Sequence, residues 1–143
     1  MKRIFLTGLV LAVSLIAVSA ADSDAKLIQG KWKPVTGELA GKLMPETVLQ
    51  TISMTLEKGK YEVVADGHPD KGTYTLDAST KPKGMTVTGT EGPNQAKTFP
   101  CIYELKGDTL RICYDLSGAK RPAEFKSLPG TKLYLVTYAR KND

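Results

Sequence analysis

The feature that most restricts this chain is a series of short segments in which apolar and polar residues alternate with a period of two. Ile52, Met54 and Leu56 alternate with Ser53, Thr55 and Glu57; Tyr61, Val63 and Ala65 alternate with Glu62, Val64 and Asp66; Met85, Val87 and Gly89 alternate with threonines at 86, 88 and 90. Side chains of a strand point to opposite faces in turn, so each segment buries one face and wets the other, whereas a helix needs a period near 3.6. Glycine-containing turns separate the segments, at Ala40-Gly41-Lys42, Lys58-Gly59-Lys60, Asp66-Gly67-His68-Pro69-Asp70, Glu91-Gly92-Pro93-Asn94 and Lys106-Gly107-Asp108. Short strands at this spacing predict an antiparallel barrel or sandwich. Eight strands are expected, starting near residues 32, 52, 60, 73, 85, 98, 109 and 133. The expected fold is all-β, an eight-stranded antiparallel up-and-down barrel.

Pro34 cannot donate to a ladder, so a bulge or an edge is expected within the first strand. Pro45 to Gln50 reads as one short helix after that strand, with proline near its first position. It is too short to stand alone and should rest on the barrel mouth. Asp22 to Lys26 reads as a mobile polar leader, and Leu27-Ile28-Gln29 as one helical turn plugging the barrel's bottom. The last strand is ambiguous, because Leu133 and Leu135 compete with Tyr134, Val136 and Tyr138 for the inside.

The first twenty residues read as an export signal rather than as part of the fold. Lys2 and Arg3 precede a run, Ile4 to Val18, that is apolar apart from Thr7, Gly8 and Ser14, and Val18-Ser19-Ala20 offers small residues for cleavage after Ala20. The rival reading is a retained membrane anchor, but the run falls short of the roughly 20 residues that a bilayer needs. A lipid anchor would need a cysteine at the cleavage site, and the first is Cys101. Residues 1–20 are therefore expected to be a signal peptide, and 21–143 one domain. That domain is expected to be periplasmic or extracellular, soluble after cleavage, and not stably inserted in a membrane. Its 41% hydrophobic content suits a real core. The whole chain carries a formal charge of +5, and loss of Lys2 and Arg3 leaves the remainder mildly basic. Its lysines are scattered, with no basic block interleaved with aromatics, so nucleic acid is not an expected partner.

Gly30-Lys31-Trp32 is similar to the Gly-x-Trp that opens the first strand of lipocalins. In that family a late arginine lies over the tryptophan ring, and the resemblance implies this closing role for Trp32 and Arg140. The contact is physically sensible, since a guanidinium over an indole gains about 0.5–2 kcal/mol. More widely, the chain resembles a family of secreted lipocalin-like domains from Planctomycetes. The segments that carry the likeness are Leu27-Ile28-Gln29-Gly30-Lys31-Trp32, Thr90-Glu91-Gly92-Pro93, Ile102 to Leu110, Ile112-Cys113-Tyr114 and Arg121-Pro122-Ala123-Glu124-Phe125. The resemblance implies a fold and an exported location, and it supplies no catalytic residue.

The side chains offer little chemistry. The single histidine, His68, sits between strand patterns with no nucleophile placed beside it. One histidine and two cysteines make no zinc set at short spacing, and no glycine-rich phosphate loop is present. No enzyme activity, metal or cofactor is expected. Cys101 and Cys113 fall on neighbouring strands with opposite facing. No disulfide is expected: Cys101 would be a small buried hydrophobe and Cys113 a half-exposed thiol.

By alternation the interior holds Ile52, Met54, Leu56, Tyr61, Val63, Tyr74, Leu76, Met85, Val87, Phe99, Tyr103, Leu105, Leu110, Ile112 and Tyr114. Eight strands enclose a space that side chains can fill or that can hold one small ligand. The adaptable lining for a ligand would be Met54, Tyr61, Tyr74, Met85, Tyr103 and Tyr114, which would serve equally well as plain core. Two readings follow. One is a binder of a small apolar or amphipathic molecule at the barrel's open end, with a pocket under the helix and Trp32 emission quenched on binding. The other is a ligandless protein-interaction or inhibitor module of the cell envelope, its partner unnamed, with a solid core and an exposed apolar patch near the helix or the 115–131 loop. That loop is the longest. It is either functional or a cover, with Phe125 and Leu128 over one end of the core and Arg121 paired to Glu124.

Overall fold

The computed structural model describes residues 20–142. The export-signal expectation for residues 1–20 therefore lies, apart from Ala20, outside the described residues. Among the described residues no helix is long and apolar enough to cross a membrane.

Helix α1 (Ala20–Leu27) is followed by strand β1 (Gly30–Leu39), a two-residue strand β2 (Lys42–Leu43) and helix α2 (Glu46–Leu49). Seven strands complete the chain: β3 (Ile52–Glu57), β4 (Lys60–Ala65), β5 (His68–Asp77), β6 (Lys83–Glu91), β7 (Thr98–Lys106), β8 (Thr109–Asp115) and β9 (Leu133–Arg140). Each strand from β3 to β9 pairs antiparallel with the next, and β1 pairs with both β3 and β9. The result is a closed eight-stranded antiparallel up-and-down barrel, with one short helix after the first strand and β2 as a flap on the far end of β1. The β1–β9 register shifts between Pro34 and Thr36, a bulge at the point where proline withholds its N–H.

The β4–β5 turn is shorter than the sequence suggests. Only Asp66 and Gly67 form it, with φ of 49° and 77°. Positive φ at both central residues is the tight hairpin geometry that Asp-Gly favours. His68, Pro69 and Asp70 therefore belong to β5, with His68 paired to Ala65 and Asp70 to Val63.

The stretch read as a mobile polar leader is α1. Its polar composition is accommodated because Asp24, only 8% exposed, turns into the barrel's lower end. There its Oδ2 accepts a 2.6 Å hydrogen bond from the Tyr103 hydroxyl and a 2.9 Å contact from Lys83 Nζ. Ile28, just past the helix, is fully buried and plugs that end; Trp32, Leu110 and Ile112 are fully buried as well.

Tyr134, Val136 and Tyr138 face the interior core. Leu135 pairs with Cys113, and Cys113 with Ile102, on the outer wall. Ile102 and Cys113 are nonetheless fully buried, because the 116–132 loop is pinned across that wall. Arg121 Nη1 donates to the carbonyls of Met85 and Cys101, and its Nη2 to Thr86 Oγ1. The Phe125 ring lies 4.0 Å from the Arg111 guanidinium carbon. Ser127 Oγ bridges Gly41 N and Leu133 O. Asp115 holds the loop's start, accepting from Ser117 Oγ and from the backbone N–H groups of Ser117 and Lys120. The loop thus covers a side of the barrel rather than an end. Arg121 binds strand backbone, while Glu124 pairs with Lys126. Cys113 is a buried thiol rather than a half-exposed one, and both cysteines are free.

Candidate functional site: the barrel mouth

The barrel's two ends differ. The lower end is filled by Ile28, Trp32 and the α1 contacts. The upper end, where α2, the β6–β7 connection and the ends of the 116–132 loop gather, contains a cavity of about 440 Å³. Ile52, Met54, Leu56, Val63, Met85, Val87 and Phe99 supply its apolar wall. Its polar lining is Asp70, Asn94, Lys97 and Lys132, together with Tyr61, Tyr114, Tyr134 and Tyr138.

The polar groups are ordered. Asn94 Nδ2 donates to Asp70 Oδ2 at 2.7 Å, and the Tyr61 hydroxyl donates to Oδ1 at 3.5 Å. Burial, with the Asp70 charge and hydrogen bond adding to it, pushes the Tyr61 hydroxyl up to about 12. Tyr114 and Tyr138 share a 2.9 Å hydroxyl–hydroxyl hydrogen bond. Burial holds both well above the ordinary tyrosine value; at Tyr114 its tyrosine neighbours Tyr138 and Tyr134 add to the shift, whereas at Tyr138 Tyr134 adds to it and the hydrogen bond with Tyr114 offsets part of it. Tyr114 also stacks on Tyr134, with centroids 5.5 Å apart. Four phenols are therefore neutral hydrogen-bonding groups beside the apolar wall, a combination suited to orienting an amphipathic molecule.

Of the six residues proposed as lining, Met54, Tyr61, Met85 and Tyr114 meet at this cavity. Tyr74 and Tyr103 do not line it. Tyr74 is core toward the other end, its N–H bonded to Gly59 O in the β3–β4 turn, and Tyr103 is committed to Asp24. Asp70, Asn94, Lys97 and Lys132 were missed because they read as turn and loop residues. For Asp70 a signal existed, since stepping back by twos from Leu76 and Tyr74 reaches Gly72 and Asp70 on the same face. Helix α2 stands at the mouth without lining the cavity. Its Leu49, together with Met44, instead fills the space over Gly37 on β1. Trp32 is not a lining residue either, so its emission does not report directly on this site.

At the closing seam Trp32 and Arg140 are register partners. The Arg140 guanidinium carbon lies 4.3 Å from the indole centroid, and the Trp32 Nε1–H donates to Ile28 O at 2.9 Å. Gly30 makes room for this arrangement. Its φ of +133° is glycine territory, and a Cβ there would come within 2.8 Å of Arg140 Nη1.

His68 is exposed at the first position of β5. Among the described residues no group of three or more His, Cys, Asp or Glu is placed to hold a metal ion. Set against protein-family models, curated proteins and solved structures, the chain finds no match in any of the three.

Proposed function

We propose that this protein is an exported lipocalin-like domain that binds a small apolar or amphipathic molecule in the barrel mouth and carries out no catalysis. One observation carries the reading. In a barrel whose lower half is tightly filled, the upper half keeps a cavity of about 440 Å³, within the range of small-molecule sites. Its wall is apolar with a few hydrogen-bonding groups, which is what retention and orientation of an amphiphile require. The leader at residues 1–20 supports export.

Native mass spectrometry of the protein taken from its own cell envelope tests the proposal. The expected result is a small molecule retained by wild type and lost from Val87→Phe, a substitution that fills the cavity at a modest packing cost of about 1–3 kcal/mol. A clean apo mass, with no rise in melting temperature across a set of lipophiles, overturns it.

A second reading, a ligandless interaction or inhibitor module, draws on a different observation. Leu39, Leu43, Val48 and Leu128 are exposed large apolar residues on the β1–β2 hairpin, α2 and the loop beside them. Gly41 and Pro129 bring the hairpin and the loop together. Apolar side chains gathered at one rim mark contact surfaces. Under this reading the native mass would be a protein complex with an empty barrel.

A further inference from the structure

We infer that the barrel mouth selects an amphiphile with an anionic head group, a medium- or long-chain carboxylate being the simplest, whose charge sits between Lys97 and Lys132. The inference rests on the binding role proposed above and narrows it to one ligand class. The cavity's apolar wall includes Met54, Met85, Val87 and Phe99, while its ionisable lining is two ammonium groups against one carboxylate.

That carboxylate, Asp70, already accepts from Asn94 and from Tyr61. Among the described residues the side chains of the two lysines have no such partners. Among the described residues neither makes an ion pair, in contrast to Lys83, Lys106 and Lys126, each of which has a carboxylate within 4 Å. Their backbones are nevertheless fixed. Lys97 N–H donates to Asn94 O, and Lys97 O accepts from Gly89 N–H; Lys132 O accepts from Leu116 N–H. Two ammonium groups against the single, already hydrogen-bonded carboxylate of Asp70 leave the lining with a net positive charge that favours an anion there, and the apolar wall strengthens that attraction relative to bulk water. A neutral head group leaves both charges unused, and a cationic one meets net repulsion.

The test compares dodecanoate, dodecanol and dodecylammonium, each below its micelle concentration, by displacement of a neutral fluorescent lipophile from the protein. Wild type is set beside the Lys97→Gln/Lys132→Gln double variant, with melting curves confirming that both fold. Dodecanoate is expected to bind wild type about tenfold more tightly than dodecanol, as two partly solvated charge contacts allow. The gap should shrink with added salt and close in the double variant, with dodecanol unaffected. Equal affinity for dodecanoate and dodecanol, a preference for dodecylammonium, or a carboxylate preference that survives in the double variant overturns the head-group assignment and leaves the cavity reading intact. Failure of all three to bind overturns the cavity reading, and the head-group assignment with it.

Discussion

Arg140 covers Trp32 from the opposite end of the described fold, and the same guanidinium reaches back to the chain just before β1. Its Nη1 donates to Gln29 O at 2.7 Å, its Nη2 to Leu27 O, and its Nε pairs with Asp108 Oδ1 at 3.1 Å. One side chain therefore ties together the exit of α1, the first strand, the β7–β8 turn and the last strand.

Arg140→Ala should cost about 3 kcal/mol, combining a desolvated cation–π contact with charged hydrogen bonds to two backbone carbonyls. Arg140→Lys should recover less than half of this, because an ammonium cannot reproduce the planar fork. Denaturant titration followed by Trp32 emission measures both. A loss below 1 kcal/mol in the alanine variant would show that closure is held by the β1–β9 ladder alone.

The lower end rests on Asp24. Tyr103→Phe removes one hydrogen bond and should cost about 1 kcal/mol, whereas Asp24→Ala strands the buried Tyr103 hydroxyl and should cost about 2–3 kcal/mol. Hydrogen exchange in α1 should accelerate in both variants ahead of the barrel strands. Equal protection of α1 in wild type and Asp24→Ala would remove Asp24 as the anchor.

All six tyrosines, at 61, 74, 103, 114, 134 and 138, are held above their ordinary value, with burial the leading cause in each. Their folded values lie above the unfolded value of 10.0, and Tyr61 lies at about 12. The unfolded chain therefore releases these protons first as pH rises. The tyrosines' contribution to stability is complete below pH 10 and is lost as pH climbs from there through 12. Tyrosinate absorbance should show no group titrating at the ordinary value and should rise steeply together with loss of β-sheet circular dichroism. A tyrosine that ionises near pH 10 in the folded protein would contradict this.

Cys101 faces the interior, and Cys113 lies under the outer loop with its thiol against Lys126 O at 3.5 Å. Burial pushes both thiols up, so neither is a ready thiolate. Intact mass under non-reducing conditions should show two free thiols. A thiol-reactive dye should label them only as fast as the protein opens, so rapid native labelling, or a mass short by two hydrogens, counts against this arrangement.

Strand identity and in–out facing over Ile52–Ala65 and Leu110–Tyr114 were legible in the order of residues, because a strand's pleat is local and its period is written directly in the side chains. The same holds for the Pro34 bulge and for the helix after Pro45. Three features needed the assembled molecule. The facing of β9 was ambiguous because both of its faces are apolar, and the structure separates them: Val136 and Tyr138 are buried in the core, while Leu135, half-buried, pairs with Cys113 on the outer wall. Helix α1 looked like a solvated leader because nothing near Asp24 in sequence could satisfy its carboxylate; the partners, Lys83 and Tyr103, are 59 and 79 residues away.

The cavity is the third such feature. Alternation fixed which residues point inward, and so Met54, Tyr61, Met85 and Tyr114 could be named. Whether inward-pointing residues meet or leave a gap depends on how far each stands along the barrel axis, which is set by register around the whole closed sheet. That register put Tyr103 in the filled end, opened the space above Met85, and brought Lys97 and Lys132, from two separate connections, to the same rim. A chain's own pattern specifies the sides of its strands; only closure of the ring, a sum of non-local pairings, decides where the interior is solid and where it is empty.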